Sequence, residues 1–108
     1  MTATSDDLDV RQLSKLLAQN SKLFLLDVRE PEEFAKDSIP GSVNVPLRGL
    51  PKYLAQLSPD DTIVCICESG RRSRIAAGAL ARLGYKQVRN FTAGMKGWRE
   101  QSGGGGAP

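Results

Sequence analysis

A cysteine at the end of an apolar run is the residue of this sequence best placed to do chemistry. The apolar run 62–66 leads into Cys67, a polar segment with Gly70 follows, and an alanine-rich helical segment begins near Ser73. This order places the Cys67 thiol at the carboxyl end of a strand and opposite a helix amino terminus. Open α/β sheets bind ligands at that edge, and a helix amino terminus stabilises anions. Because the thiolate is the reactive form of cysteine, we expect this segment to activate a sulfur nucleophile.

The chain offers few other means of activating a thiol. It has 108 residues, two cysteines and no histidine, which excludes Cys-His dyads, serine triads and histidine bases. Cys65 and Cys67 make a poor disulfide and an incomplete zinc site, so we predict neither a metal nor a cofactor. Cys65 lies inside the strand and is interpreted as an inert core thiol rather than a resolving partner. Cys67 could also be a core thiol, but the loop behind it favours electrostatic activation by backbone N–H groups.

Basic residues cluster only behind the candidate nucleophile, at Arg71, Arg72 and Arg74. Arginine opposes the macrodipole at a helix amino terminus, so either an anionic substrate or a solvated helix start has to explain this cluster. The net charge of +3 is modest, and a nucleic-acid surface would show a broader basic stripe with interleaved aromatics. With no apolar run of membrane-spanning length and no signal-peptide pattern, we expect a cytoplasmic monomer with neither a membrane nor a nucleic-acid partner.

The elements around Cys67 alternate between helix and strand. Helices are predicted near 8–20, from 30–34 onward, and near 47–57, 73–83 and 94–98, and strands near 23–26, 43–45, 62–66 and 87–90. This order predicts an α/β fold, a central mostly parallel sheet with helices on both faces. We expect one domain over 8–100 and flexible tails at 1–7 and 101–108. The strand ends should then surround one crevice that contains Cys67.

Four segments together resemble the signatures of a known family. The segments 25–34, 39–46, 67–73 and 94–98 occur in the order found in rhodanese domains. The chain resembles the single-domain rhodaneses (thiosulfate sulfurtransferases) from about Leu8 to Arg99. The resemblance implies the same parallel-sheet fold and the transfer of a sulfane sulfur through a cysteine persulfide. The donor it implies is thiosulfate or a similar small molecule, and the acceptor is cyanide, a thiol or a protein.

The resemblance also assigns roles within the loop. Cys67 matches the nucleophile of the family, and the loop that cradles the transferred sulfur is matched by Glu68, Ser69, Gly70, Arg71 and Arg72. We expect Gly70 to adopt a positive φ so that the backbone can turn closely around the sulfur.

Three residues outside the loop are also interpreted. Asp27 and Arg29 are interpreted as a structural pair near the site, and Trp98 as a core or lid residue.

Two positions depart from the family pattern. Members often carry histidine before Ile-Pro-Gly, where this chain has Asp37 and Ser38. The first loop position is often basic or neutral, and here it is Glu68. Because an acid facing the pocket would oppose an anionic donor, we expect the Glu68 side chain to point outward.

Three alternatives remain beside a general sulfurtransferase. A cysteine-dependent phosphatase typically places arginine at the sixth position after the cysteine, where this chain has Ser73, so that reading is disfavoured. A regulatory module of the same fold is disfavoured by the intact cysteine and glycine-containing loop. A dedicated persulfide carrier for one protein acceptor is not separated from a general sulfurtransferase by the sequence. Mercaptopyruvate is a less favoured donor, because the loop is rich in arginine.

Overall fold

The computed structural model describes residues 6–19 and 22–101. The strands are β1 (Asp6–Leu8), β2 (Leu23–Asp27), β3 (Ser42–Asn44), β4 (Thr62–Ile66) and β5 (Gln87–Phe91). The helices are α1 (Val10–Gln19), α2 (Pro31–Lys36), α3 (Leu50–Tyr53), α4 (Arg71–Arg82) and α5 (Gly94–Gln101). None of these helices is long and apolar enough to cross a membrane.

All strands run parallel in one sheet of order β1-β5-β4-β2-β3. The central strand β4 places Cys65 beside Leu26 of β2 and beside Asn90 of β5. Cys67 follows directly after this strand, at the carboxyl edge of the sheet. The predicted parallel sheet is confirmed, and its middle strand is the one that delivers the candidate nucleophile.

The sheet is covered on both faces, as predicted. Side chains alternate along β4, so that Ile63 and Cys65 join one core cluster, with α3 and α4, while Val64 and Ile66 join the other, with α1 and α5. All four side chains are buried. Burial on both faces explains why this strand reads as a continuous apolar run.

The predicted amino-terminal tail is wrong for its last two residues. Asp6 and Asp7 belong to β1, which pairs with β5 at the edge of the sheet. The strand has three residues, two of them acidic, so no apolar alternation marks it. The ladder with β5 and the buried side chain of Leu8 hold it in place. At the other end, Gln101 still belongs to α5. The remainder of both predicted tails, and the predicted end of the first helix at Asn20, lie outside the described residues.

Two further boundaries differ from the prediction. The helix predicted over 47–57 is divided into a 3₁₀ turn at Leu47–Gly49, the single turn α3, and a second 3₁₀ turn at Leu54–Gln56. Pro51 occupies the first turn of α3 as expected, because a helix start needs no N–H there. Helix α4 begins at Arg71 rather than at Ser73, which brings its amino terminus closer to Cys67.

Candidate active site

The Cys67 sulfur lies at the centre of a tight loop between β4 and α4. The side chain is 1% exposed. The N–H of Gly70 donates to its Sγ at 3.1 Å, the N–H of Ser73 donates at 3.3 Å, and the Ser73 hydroxyl lies 3.3 Å from the same sulfur. Backbone N–H groups that converge on one atom form an anion-binding nest. The arrangement therefore favours negative charge on Sγ without any histidine.

Gly70 allows the loop to close on the sulfur. Its φ of 87° lies in the left-handed region, as predicted, and it precedes the first residue of α4. A Cβ at this position would lie 2.7 Å from the carbonyl oxygen of Thr92. The turn therefore needs glycine both for its backbone conformation and for its contact with the segment after β5.

The amino terminus of α5 holds the first two carbonyl groups of the loop. The N–H of Met95 donates to the carbonyl of Cys67 at 2.9 Å, and the N–H of Lys96 donates to that of Glu68 at 3.2 Å. Gly94 allows this approach, because a Cβ there would lie only 2.2 Å from the Glu68 carbonyl oxygen. From the sequence, α5 was expected to offer the site at most a lid residue, Trp98, yet its first turn fixes where the loop leaves the strand.

A buried asparagine of β5 braces the other half of the loop. The Ser73 hydroxyl donates to Asn90 Oδ1 at 2.5 Å, and Asn90 Nδ2 donates to the carbonyl of Gly70 at 3.2 Å. Both Ser73 and Asn90 are fully buried. Neither was among the predicted site residues. A usable signal was present, because an asparagine in a buried strand has to find hydrogen-bond partners.

The two loop arginines have different surroundings. Arg72 forms two hydrogen bonds with the Glu33 carboxylate, at 2.8 and 3.0 Å. The hydrogen bond from Arg72 is the main cause that lowers the pKa of Glu33 to about 2. Arg71 is exposed and has no ion pair with any described residue. Ser69, between the glutamate and the glycine, is exposed as well.

Glu68 is bound to an arginine of α5. Both of its carboxylate oxygens accept hydrogen bonds from Arg99, at 2.7 and 2.8 Å. The carboxylate is therefore directed at Arg99 and not at the N–H groups that surround Cys67, in line with the expected outward orientation. The Arg99 guanidinium also donates to Asp37 through Nε at 2.6 Å.

The interpretation of Asp27 and Arg29 as a structural pair is confirmed. Both side chains are buried, and Arg29 Nη2 lies 2.9 Å from Asp27 Oδ2. The same Nη2 donates to the carbonyl of Asp37 at 2.7 Å, and Arg29 Nη1 donates to that of Glu33 at 3.3 Å. This pair links the end of β2 to a carbonyl within α2 and to the residue that follows α2.

Two other predicted residues belong to the core. Cys65 is fully buried, and burial raises the pKa of its thiol to about 12, as expected for an inert side chain. Trp98 packs edge-on against Phe91 with ring centroids 6.4 Å apart. Trp98 is half-buried and packs against the core cluster that contains Phe91, in line with the core role, one of the two predicted for it.

Comparisons with known proteins agree with this geometry. The rhodanese-like domain family matches residues 9–101. The chain is 38% identical over 92 residues to YrkF of Bacillus subtilis, a protein named as a candidate sulfur carrier; the match covers 85% of this chain but only half of YrkF. It is 36% identical over 73 residues to the thiosulfate sulfurtransferase PspE of Escherichia coli, covering 66% of this chain and 69% of PspE.

The fold also matches solved structures. The structure of a human single-domain sulfurtransferase superimposes with a TM-score of 0.79 at 30% identity, covering 93% of this chain and 98% of the human one. The family match extends over nearly all of the described residues, and the Cys67 loop lies within it. The chain therefore belongs to the rhodanese-like domain family.

Proposed function

We propose that this protein is a sulfurtransferase that takes a sulfane sulfur from thiosulfate onto Cys67 and passes it to a thiol or to cyanide. One observation carries the proposal: the Cys67 sulfur receives the N–H groups of Gly70 and Ser73 at the amino terminus of α4. The relative named as a thiosulfate sulfurtransferase supports thiosulfate as the donor. Glu68, Ser69, Gly70, Arg71 and Arg72 form the proposed binding loop.

The first step is an attack on sulfur. The Cys67 thiolate attacks the outer sulfur of thiosulfate, a new bond forms between Sγ and that sulfur, and the sulfur–sulfur bond of the donor breaks. Sulfite leaves with the electron pair of that bond, as a leaving thiolate does in thiol–disulfide exchange. Cys67 then carries a persulfide, whose outer sulfur is negatively charged. Loop N–H groups stabilise that charge.

The second step regenerates the thiolate. An acceptor thiolate or cyanide attacks the outer sulfur, the bond from Sγ to that sulfur breaks, and its electron pair returns to Cys67. Arg71 is the proposed contact for the anionic donor, because its side chain is exposed and unpaired among the described residues. Arg72 is assigned a supporting role, since Glu33 already matches its charge.

Intact mass spectrometry after incubation with thiosulfate tests the proposal. The wild-type protein should gain one sulfur atom, and cyanide should remove it as thiocyanate. The matched controls are Cys67→Ala, which should gain nothing, and Cys65→Ala, which should gain one sulfur as the wild type does. A sulfur gain that survives Cys67→Ala and disappears in Cys65→Ala would overturn the assignment of the nucleophile.

A second candidate is a dedicated persulfide carrier for a protein acceptor. The observation in its favour is the similarity to YrkF, a protein named as a candidate sulfur carrier. A carrier would load from thiosulfate but would release its sulfur slowly to small thiols and cyanide. Single-turnover discharge of the loaded protein separates the two: rapid discharge to cyanide and dithiothreitol supports the general enzyme, and discharge only to a protein thiol supports the carrier.

A further inference from the structure

The two positions that depart from the family pattern contact the same side chain. Arg99 donates to both carboxylate oxygens of Glu68, at 2.7 and 2.8 Å. It also donates to Asp37, through Nε at 2.6 Å and through Nη2 at 3.3 Å. One guanidinium therefore bridges the first residue of the Cys67 loop and the segment after α2. We refer to Asp37, Glu68 and Arg99 as the Arg99 cluster.

Arg99 is the cation that balances Glu68. Arg29 Nη1 lies 4.0 Å from Glu68 Oε1, beyond hydrogen-bond distance. Arg29 forms a buried pair with Asp27 at 2.9 Å and lies 3.6 Å from the Asp37 carboxylate, so two other carboxylates already share its charge. Without Arg99, the Glu68 carboxylate would face only a distant and already neutralised arginine. The bidentate pair with Arg99 also fixes the direction of this carboxylate, as fork-shaped pairs do.

The position of Glu68 makes its charge relevant to the donor. It follows Cys67 directly, and the N–H of Lys96 holds its carbonyl group, so its carboxylate cannot move far from the loop. The hydrogen bond from Arg99 lowers the pKa of Glu68, and the group is therefore ionised at neutral pH. An unbalanced carboxylate here would repel an anion that approaches Cys67.

We propose that Arg99 is a positioning residue that sets the donor selectivity of the site: anchored by Asp37, it neutralises Glu68 and directs it away from the loop, and so admits doubly charged sulfur donors. This inference rests on the proposed function. Its signature depends on the charge of the donor. If the donor binds about 7 Å from an unbalanced Glu68 carboxylate, repulsion in water weakens the binding of a monoanionic donor by about threefold and that of a dianionic donor by about eightfold.

The test measures the loading of Cys67 by two donors that differ in charge. Thiosulfate is a dianion, and benzenethiosulfonate is a monoanion that transfers the same sulfur with benzenesulfinate as leaving group. Arg99→Gln should lower the second-order rate constant of loading about eightfold with thiosulfate and about threefold with benzenethiosulfonate. The double variant Glu68→Gln/Arg99→Gln should lose the extra penalty for thiosulfate, so that the ratio of its two rate constants recovers to within about twofold of the wild-type ratio. Added salt should reduce the loss in Arg99→Gln.

Two further variants keep the result interpretable. Arg82→Gln removes the same charge from the exposed far end of α4 and should change the two rate constants by less than about 1.5-fold. Glu68→Gln alone, which leaves Arg99 in place, should shift selectivity towards thiosulfate, and it remains informative if Arg99→Gln does not fold.

An equal loss with both donors in Arg99→Gln, or a double variant that does not recover, would overturn the inference, because a purely structural role has no dependence on donor charge. If the wild-type protein loads from thiosulfate but the variants keep its donor selectivity, the inference about Arg99 is refuted and the proposed function stands. Wild-type protein that loads from neither donor refutes the proposed function, and the inference with it.

Discussion

Gly94→Ala is the substitution that best tests whether α5 holds the Cys67 loop in its working geometry. The added Cβ would lie 2.2 Å from the Glu68 carbonyl oxygen, where ordinary contacts begin at 3.4 Å. The loop and α5 would therefore have to separate by 1.2 Å, the difference between these two distances. That separation breaks the hydrogen bonds from Met95 and Lys96 to the loop carbonyls. The φ of 65° adds the strain of a left-handed alanine.

The magnitude follows from these contributions. Left-handed backbone costs a residue with a Cβ about 1–2 kcal/mol, and two lost hydrogen bonds cost about 1 kcal/mol each. Gly94→Ala should therefore destabilise the fold by about 3–4 kcal/mol. A displacement of about 1 Å at a reacting centre can reduce a rate about hundredfold, and we expect that loss in the loading of Cys67 by thiosulfate.

Gly84→Ala is the matched control. Gly84 also has a positive φ, 98°, but nothing lies within 4 Å of its added Cβ. It should show only the backbone strain, about 1–2 kcal/mol, with loading within about twofold of wild type. Urea denaturation and the rate of sulfite release measure the two quantities on each variant. If Gly94→Ala loads as fast as Gly84→Ala, the contact between α5 and the loop does not set the geometry of the sulfur.

Two other predictions follow from the contacts of the site. Asn90→Ala leaves the Gly70 carbonyl and the Ser73 hydroxyl without their buried partner, so the free energy of unfolding should fall by about 2–3 kcal/mol and sulfite release should slow; unchanged values for both would refute the bracing role. The pKa of Glu33 is lowered to about 2 from 4.5, so its contribution to stability is complete above about pH 4.5 and is lost as the pH falls towards 2. Urea midpoints measured across that range should fall less steeply for Glu33→Gln than for wild type, and parallel profiles would contradict this contribution of Glu33. The effect should be small, because each side chain of the Glu33–Arg72 pair is 36% exposed.

The parts of the fold that the sequence predicts well are those with strong periodic or apolar signals. Residues 62–66 form a continuous apolar run because β4 is buried on both faces, and the prediction of a central parallel strand is confirmed. The edge strand β1 carries no such signal, because two of its three residues are acidic. Its pairing with β5 joins residues more than 80 positions apart, and local sequence patterns do not contain that information.

The candidate site divides in the same way. Cys67 and Gly70 were predictable because a strand, a thiol and a glycine turn are adjacent in sequence. The contacts of Asn90, Gly94 and Arg99 with the loop were not, because each depends on how β5 and α5 pack beside β4. The ion-pair partners of the arginines could not be predicted from the sequence either, since nothing local indicates that Arg72 binds Glu33, 39 positions away.

These contacts change the view of which charges act on the sulfur. The sequence places two arginines behind Cys67, and before their partners are known their positive charges are the obvious source of thiolate activation. In the structure Glu33 matches Arg72, and Arg99 matches Glu68. The Arg72 charge still interacts electrostatically with Cys67, and the backbone groups that donate to Sγ are the N–H groups of Gly70 and Ser73. Such dipoles are fixed by the backbone and require no reorganisation when charge develops. We therefore propose that activation of the thiolate rests mainly on the backbone, with Arg72 in a supporting role, and that Arg71, exposed at the start of α4, attracts the anionic donor.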